Sequence, residues 1–281
     1  MEDILKRFRE FLLSNWFRVL LSASSLAVFI ALWSLYSAWL HGDWPFPGSP
    51  RSSTPGFIPY PWHVLAAFFD SFTHQDPSGL YMTNHIYASL KRISLGFALA
   101  FCSAVPVGLL MGRSRNADAI GRPIMELFRP IPPIAWVPIF LIAFGFLWGP
   151  VAIVFLGIFF PILLNVILGA RSVDPVLIDA ARTLGARRID VFAKVVLPFT
   201  LPYMMTGVKV GLGVGWMCIV AAEMLGAVGG GVGYYINNMA YQYGAFEKMY
   251  AGMLVIGLLS VLTTGVAAIF ERRLTRWMKM K

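Results

Sequence analysis

Long runs without a charged residue dominate the pattern of hydrophobic and polar positions along the chain. Val19–Leu40, Ile93–Met111 and Met249–Phe270 each hold 19 to 22 consecutive uncharged residues. A helix of about 20 apolar residues is long enough to cross a hydrocarbon core about 30 Å thick. The pattern therefore predicts three transmembrane helices at these positions.

Three more spans are predicted from less regular patterns. Between Arg129 and Arg171 there are 41 uncharged residues, interrupted by Trp148-Gly149-Pro150. This length predicts two spans that are joined by a tight turn at the interruption. A further span, the fifth in chain order, extends from about Phe199 to Leu225. The predicted fold is an all-α integral membrane protein with six transmembrane helices.

A charged segment of 28 residues, Arg171–Pro198, separates the fourth and fifth predicted spans. Asp174-Pro175 is typical of a helix start, because proline fits the first helical position and aspartate accepts from free N–H groups. Gly185 is suited to end that helix in a left-handed conformation. The predicted apolar stripe of the helix consists of Val176, Leu177, Ala180, Ala181 and Leu184. A second short helix is predicted to carry Ile189, Phe192, Ala193 and Val196 on one face. We interpret the pair of helices as a docking surface for another protein.

Composition and charge favour a membrane protein over a nucleic-acid binder. Hydrophobic residues make up 58% of the chain and charged residues 13%, the mean hydropathy is +0.69, and the formal net charge is +9. With the N-terminus in the cytoplasm, 18 of the 23 lysines and arginines fall on the cytoplasmic side and 4 on the opposite side. This is a strong positive-inside bias. Both termini and the charged segment are therefore predicted to be cytoplasmic.

The first span is predicted to be a retained anchor. Its apolar run is longer than that of a signal peptide, and no small-residue cleavage site follows it. Residues 41–84 contain seven prolines and two tryptophans, which is typical of an external loop with an interfacial segment. The predicted organisation is an N-terminal segment, first helix and external loop over residues 1–84, followed by a membrane domain over residues 85–281.

Signals for nucleotide, metal or disulfide chemistry do not occur in the sequence. There is no G-x-x-x-x-G-K-[ST] motif, so no P-loop ATP site is predicted in this chain. Residues 229–233, which include four glycines, are interpreted as a flexible turn. Cys102 and Cys218 lie in predicted spans and are interpreted as two buried thiols. The four histidines show no metal-ligand spacing and are interpreted as loop and interface residues: His41, His63, His74 and His85.

The fifth predicted span contains charged residues and regularly spaced glycines, and each of these features has two interpretations. Glu223 would cost about 2.5–3.5 kcal/mol if it faced lipid at mid-bilayer. Lys209 lies about 21 Å away along the same helix, so the two cannot pair. Glu223 therefore has either a structural hydrogen-bonding role, which we favour, or a role in contacting substrate. Gly207, Gly211 and Gly215 either pack within the monomer or form a moving or dimeric interface.

The sequence Asp179-Ala180-Ala181, followed after three intervening residues by Gly185, resembles the EAA loop of binding-protein-dependent ABC importer permeases. Aspartate stands here in place of the usual glutamate. In that family the loop forms a coupling helix that sits in a cleft of the ATPase subunit. The resemblance therefore implies an ATPase-coupling role for Asp179, Ala180, Ala181, Leu184 and Gly185.

Further motifs in the same order resemble the nitrate/sulfonate/taurine/bicarbonate branch of that family. They are Ser89–Arg92, Arg129–Pro138, Phe160–Asn165, Gly211–Trp216, Val220–Met224 and Glu271–Leu274. Together the resemblance covers about residues 60–277. The chain departs from the branch at Phe144–Trp148 and at Thr263, where an acidic residue is common. The matched segments contain four candidates for the translocation pathway: Trp136, Asn165, Trp216 and Glu223.

The resemblance implies the fold of a type I ABC importer permease (MetI-like), with several passes through the prokaryotic cytoplasmic (inner) membrane. Its implied partners are a second permease copy in a homodimer, two cytoplasmic subunits that bind ATP and Mg, and an external or periplasmic solute-binding protein. The chain itself is then surrounded by lipid, holds no cofactor, is not an enzyme and binds no nucleic acid. The branch implies a small anion as substrate, namely a sulfonate such as taurine, nitrate or bicarbonate. The alternatives are an organic non-anionic solute such as a pyrimidine and, less favoured, an ion-coupled secondary transporter, which would need several membrane carboxylates and broken helices.

Overall fold

The computed structural model of the protein describes residues 2–43, 57–241 and 243–275, and the regular structure within these ranges is helical. The helices are α1 (Glu2–His41), α2 (Pro61–Thr73), α3 (Met82–Arg113), α4 (Arg115–Phe128), α5 (Val137–Arg171), α6 (Pro175–Thr183), α7 (Arg188–Val191), α8 (Leu197–Leu225), α9 (Val232–Tyr241) and α10 (Phe246–Leu274). A 3₁₀ turn, Pro133–Trp136, precedes α5, and a π-helical turn, Phe192–Val196, joins α7 to α8. The all-α prediction is confirmed.

Five stretches of the described chain are long and apolar enough to cross a membrane. They are Val19–His41, Met82–Arg113, Pro133–Arg171, Arg188–Leu225 and Phe246–Leu274. Four of them coincide with the first, second, fifth and sixth predicted spans. The third stretch has 39 residues and covers both spans that were predicted between Arg129 and Arg171.

This third stretch folds back on itself at Gly145. Gly145 has a φ of 68° and a ψ of 177° inside α5, a conformation that is cheap only for glycine. A Cβ placed on Gly149 would lie 3.0 Å from the carbonyl oxygen of Phe140, so the two arms of α5 contact each other beside the turn. The predicted turn at Trp148-Gly149-Pro150 was therefore wrong by a few residues. Those residues begin the second arm, and Pro150 is tolerated there because it lies near the start of a helix.

Helix α4 extends the first arm of this hairpin. Asp118 on α4 pairs with Arg171 at the far end of α5, and Arg129, which ends α4, lines the same cavity as Leu156 and Pro161. Residues 115–144 therefore run antiparallel to the second arm of α5, with a break at residues 129–132. Because this third span is not one continuous helix, the count of six spans stays a prediction.

Helices α3, α5 and α8 form the centre of the bundle. A Cβ placed on Gly96 of α3 would lie 2.6 Å from Val154, and one placed on Gly211 of α8 would lie 3.1 Å from Ile158. Glycine thus lets the three backbones approach closely, as in other membrane helix pairs. The stripe formed by Gly207, Gly211 and Gly215 faces α5 or α3, so it packs within the monomer. By contrast, Gly213 has nothing within 4 Å.

The first helix stands apart from this bundle. None of the apolar window of its Val19–His41 stretch is buried. It contacts the rest of the chain near its C-terminal end, where the ring of Trp33 lies 6.0 Å from that of Tyr250 and Ser37 donates to the Ile58 carbonyl at 2.9 Å. The division predicted between an N-terminal part (residues 1–84) and a membrane domain (residues 85–281) stays a prediction.

The two cysteines differ in environment. Cys218 is buried between α8 and α5, whereas Cys102 on α3 is exposed. The expectation of two buried thiols was therefore wrong for Cys102. Its position within an apolar span does not show whether a side chain faces the helical bundle or the lipid.

Candidate functional site

The segment after α5 forms the predicted helix and glycine turn. The side chain of Asp174 accepts from the Val176 N–H at 2.8 Å and so caps the start of α6. At the other end Gly185 has a φ of 81°. The Gly185 N–H donates to the Arg182 carbonyl at 2.9 Å, and the Ala186 N–H donates to the Ala181 carbonyl at 3.0 Å. These are the two bonds of a Schellman cap, so α6 has a defined beginning and end.

The predicted apolar stripe of α6 is divided between two faces. Ile178 is buried, and Ala181 packs against the same core cluster. Leu184 is 88% exposed and Val176 is 68% exposed, so they point away from the bundle. The prediction of a single stripe was wrong in this respect, because helical spacing does not show on which side the core lies. An apolar face that is left exposed is typical of an interaction surface.

Asp179 and Ala180 lie on the exposed side of α6 as well. The carboxylate of Asp179 is 71% exposed and approaches Arg182 at 3.4 Å. Such exposed pairs contribute little to stability. The charge of Asp179 therefore stays available to a partner that approaches α6 from outside.

Glu223, near the end of α8, is fully buried in a polar network. Its carboxylate accepts from Arg92 at 2.7 Å, from Ser89 at 3.0 and 2.8 Å, and from the Gly233 N–H at 3.0 Å. All three donor groups come from this chain, so the structural role that we favoured for Glu223 is the one that the geometry supports. Lys209 likewise finds a partner on another helix, Glu271 of α10, at 2.7 Å.

The same network holds the glycine-rich turn between α8 and α9. Arg92 donates to the carbonyl groups of Gly230 at 2.7 Å and Val228 at 2.6 Å. The Gly231 N–H donates to the ring of His85 at 3.1 Å, and the Val232 N–H donates to Ser89 at 2.9 Å. The turn is therefore tied to α3 through its own backbone, and its interpretation as a flexible turn was wrong.

His85 is buried, which corrects its interpretation as a loop or interface residue. Its other ring nitrogen lies 3.1 Å from Asp76. Burial works against ionisation of Asp76, but hydrogen bonds from Ser78, from the Leu80 N–H and from His85 hold its pKa below the usual range. Asp76 thus stays a carboxylate and anchors the His85 ring. The sequence signal for this network was the close spacing of His85, Ser89 and Arg92 along one helix; nothing in it pointed to residues 223–233.

The four pathway candidates do not meet at one site. Trp216 is buried and donates to Thr263 on α10 at 2.9 Å. Asn165 donates to the Pro161 carbonyl of its own helix at 2.8 Å. The ring of Trp136 packs between Phe128 and Phe140, and its buried Nε1 finds no acceptor among the described residues. Glu223 belongs to the separate network with Arg92.

Replacing Thr263 with valine should destabilise the protein by about 1–3 kcal/mol, because the buried Trp216 N–H then loses its acceptor. Thr264→Val is the matched control, since the Thr264 hydroxyl bonds only to carbonyl groups of its own helix. The free energy of unfolding in mixed micelles, followed by tryptophan fluorescence, checks this. Equal losses for the two variants would mean that the Trp216–Thr263 bond has no stabilising role.

Comparisons with known proteins agree with this architecture. Residues 104–276 match the model of the family described as binding-protein-dependent transport system inner membrane component. The chain is 36% identical to a putative ABC transporter permease of Methanocaldococcus jannaschii, over 95% of both chains. It is also 36% identical to the taurine transport system permease TauC of Escherichia coli, over 92% of this chain and 90% of that one. The nitrate import permease NrtB of Synechococcus elongatus is 30% identical, over 90% and 85%.

A solved structure shows the same fold. The inward-facing MetNI methionine ABC transporter aligns with a TM-score of 0.57 and 20% identity, over 69% of this chain and 96% of that chain. At this level of identity the match carries the fold alone.

Proposed function

Since this chain belongs to the family of binding-protein-dependent transport system inner membrane components, the permeases of type I ABC importers, we propose that it forms the membrane pathway for a small oxyanion. Sulfonates such as taurine, nitrate and bicarbonate are the candidates. The observation that carries this proposal is the similarity, over nearly the whole chain, to permeases named for taurine and nitrate. A third relative, from Bacillus subtilis, is named for aliphatic sulfonates. None of these three relatives is named for a pyrimidine.

We propose that ATP hydrolysis in a partner subunit drives transport through contacts with the exposed face of α6. Asp179, Ala180 and Leu184 are exposed there, and the Gly185 cap fixes the end of the helix. A rigid helix with an exposed apolar face suits a cleft on another subunit. We infer that two separate ATPase subunits, which bind ATP and Mg, receive α6 from each of two permease copies.

A homodimer is proposed to enclose the pathway. In support, α8 carries an exposed face on which Val210 and Met217 are 51% and 75% accessible and Gly213 has no neighbour. A solute-binding protein would deliver the substrate at the opposite end from α6. The bias in lysine and arginine positions supports cytoplasmic termini and a multi-pass location in the inner membrane.

Transport in proteoliposomes tests this function. The permease, its ATPase subunits and its binding protein are reconstituted together, and uptake of labelled taurine, nitrate, bicarbonate and uracil is measured with ATP on the cytoplasmic side. We expect ATP-dependent uptake of one of the three oxyanions and none of uracil. An ATPase subunit without its P-loop lysine serves as control. Uptake by the permease alone, driven by an ion gradient, would instead support a secondary transporter and refute the proposal.

A further inference from the structure

Arg129 lines a cavity between the segment that precedes α5, the second arm of α5 and α8. The cavity has a volume of about 340 Å³, within the range of small-molecule sites. Its polar side chains are those of Arg129 and Asn165. The rest of its wall is apolar and includes Ile131, Phe160 and Val210. The cavity is thus an apolar chamber with one cation and one amide.

The cavity lies deep within the predicted membrane region. Arg129 shares it with Leu156 and Pro161 of α5, and the helix ends at Arg171, ten residues beyond Pro161. At about 1.5 Å per residue this separation is about 15 Å, half the thickness of the hydrocarbon core. The antiparallel course of residues 115–144 thus places Arg129 beside the middle of the second arm of α5.

Arg129 differs from the other deep cations of the protein. Arg92 pairs with Glu223 and Lys209 pairs with Glu271. For Arg129 the described part of the chain offers no carboxylate within ion-pair distance and no hydrogen-bond acceptor for its side chain. A cation at this depth is costly when it faces lipid, and intramembrane charges therefore face a protein partner or a water-filled path.

The chemistry of the cavity suits an oxyanion. A guanidinium group is planar and donates through a rigid fork that matches two oxygens of one ligand. Asn165 uses its amide to donate to the Pro161 carbonyl at 2.8 Å, and an amide nitrogen carries a second N–H. Arg129 is exposed within one copy of the chain, so an anion that enters the cavity can reach its guanidinium group.

We propose that Arg129 is the oxyanion-selecting residue of the translocation pathway and that Asn165 assists it. This inference rests on the proposed function and identifies the group that recognises its substrate inside the membrane. In a homodimer the second copy contributes a second Arg129 at the same depth. The sulfonate or nitrate oxygens then replace the missing counterion during passage. Because the guanidinium group has no fixed carboxylate partner, the anion is released without breaking an ion pair within the protein.

Uptake of taurine by the complete complex tests this role. Arg129→Gln should lower uptake by about tenfold or more, as expected from loss of a charge-assisted contact, while Arg129→Lys retains a measurable part. The matched control is Arg115→Gln, an exposed arginine at the other end of α4, which should leave uptake unchanged. Stimulation of ATP hydrolysis by the taurine-loaded binding protein should persist in Arg129→Gln, because α6 is intact. If nitrate or bicarbonate is the oxyanion carried by the wild type, it replaces taurine as the probe.

The outcomes separate the two proposals. If the wild-type complex carries none of the three oxyanions, the proposed function itself fails. If the wild type transports an oxyanion and Arg129→Gln transports it equally fast, only the role of Arg129 is overturned.

A cysteine variant keeps the test decisive if Arg129→Gln does not fold. Arg129→Cys, in a Cys102→Ser and Cys218→Ala background, is treated with aminoethyl or sulfonatoethyl methanethiosulfonate. We expect the transported oxyanion to slow both reactions, and we expect the cationic adduct alone to restore uptake. Equal uptake with the two adducts, or no reaction with either reagent, would refute a water-accessible anion site at residue 129.

Discussion

The Arg92→Met variant is expected to lose about 3–5 kcal/mol of stability, because it leaves the Glu223 carboxylate buried without its cation. The side chains of Arg92 and Glu223 are 7% and 1% exposed. The substitution also frees the two turn carbonyls that Arg92 binds, those of Val228 and Gly230. The free energy of unfolding from titration with SDS in mixed micelles measures the loss.

Two further variants give this prediction its controls. Arg122→Met breaks an exposed pair with Asp118 and should cost at most about 1 kcal/mol. The double variant Arg92→Met/Glu223→Met should recover much of the loss, since replacing both partners of a buried pair by apolar groups is often close to neutral. A double variant as unstable as the sum of the two single variants would show that the Arg92–Glu223 contact is not the source of the effect.

Leu184→Asp is expected to abolish the stimulation of ATP hydrolysis by the loaded binding protein while leaving the membrane fold intact. Leu184 is 88% exposed, so the substitution removes no contact within the monomer. It places a charge on the face that we propose to dock on the ATPase, at the C-terminal end of α6, and burying an unpaired charge there is costly. Gly185→Pro should give the same result, because proline cannot adopt the φ of 81° at that position.

The measurement is co-purification of the ATPase subunits with the permease, followed by their rate of ATP hydrolysis with and without loaded binding protein. Tyr241→Asp is the control. Tyr241 is 80% exposed at the end of α9, next to the α9–α10 turn and away from α6, so its replacement should not affect binding of the ATPase. If Leu184→Asp retained full ATPase binding and coupling, the proposed docking face of α6 would be wrong.

Most of the membrane architecture could be predicted because it depends on local composition. A run of some 20 uncharged residues must cross the bilayer as a helix wherever its neighbours lie. The turn of the α5 hairpin was harder to locate, because Gly145 and the Trp148–Pro150 segment are equally good local signals. In the structure the turn lies at Gly145, whose backbone has a positive φ, and Gly149 lets the two arms approach closely beside it.

For the candidate sites too, features that depend on local sequence could be predicted and contacts between distant segments could not. The bounds of α6 follow from Asp174, Pro175 and Gly185, each of which acts on the backbone beside it. The partner of Glu223 is Arg92, 131 residues earlier in the chain, and no pattern within either segment links them. The position of Arg129 could not be predicted for a similar reason, since it depends on which part of α5 lies beside it.

The sequence by itself determined the helical membrane fold, its approximate spans and a capped helix between them, because these depend on hydrophobicity and backbone chemistry over a few consecutive residues. Only the tertiary structure decided which face of α6 is exposed, which carboxylates have partners, and that Arg129 has no carboxylate partner among the described residues. Those properties depend on contacts between segments far apart in the chain. Through such contacts the two buried charges of the network, Arg92 and Glu223, pair with each other. Arg129 instead lines a cavity and has no carboxylate partner in the part of the chain that the structure describes.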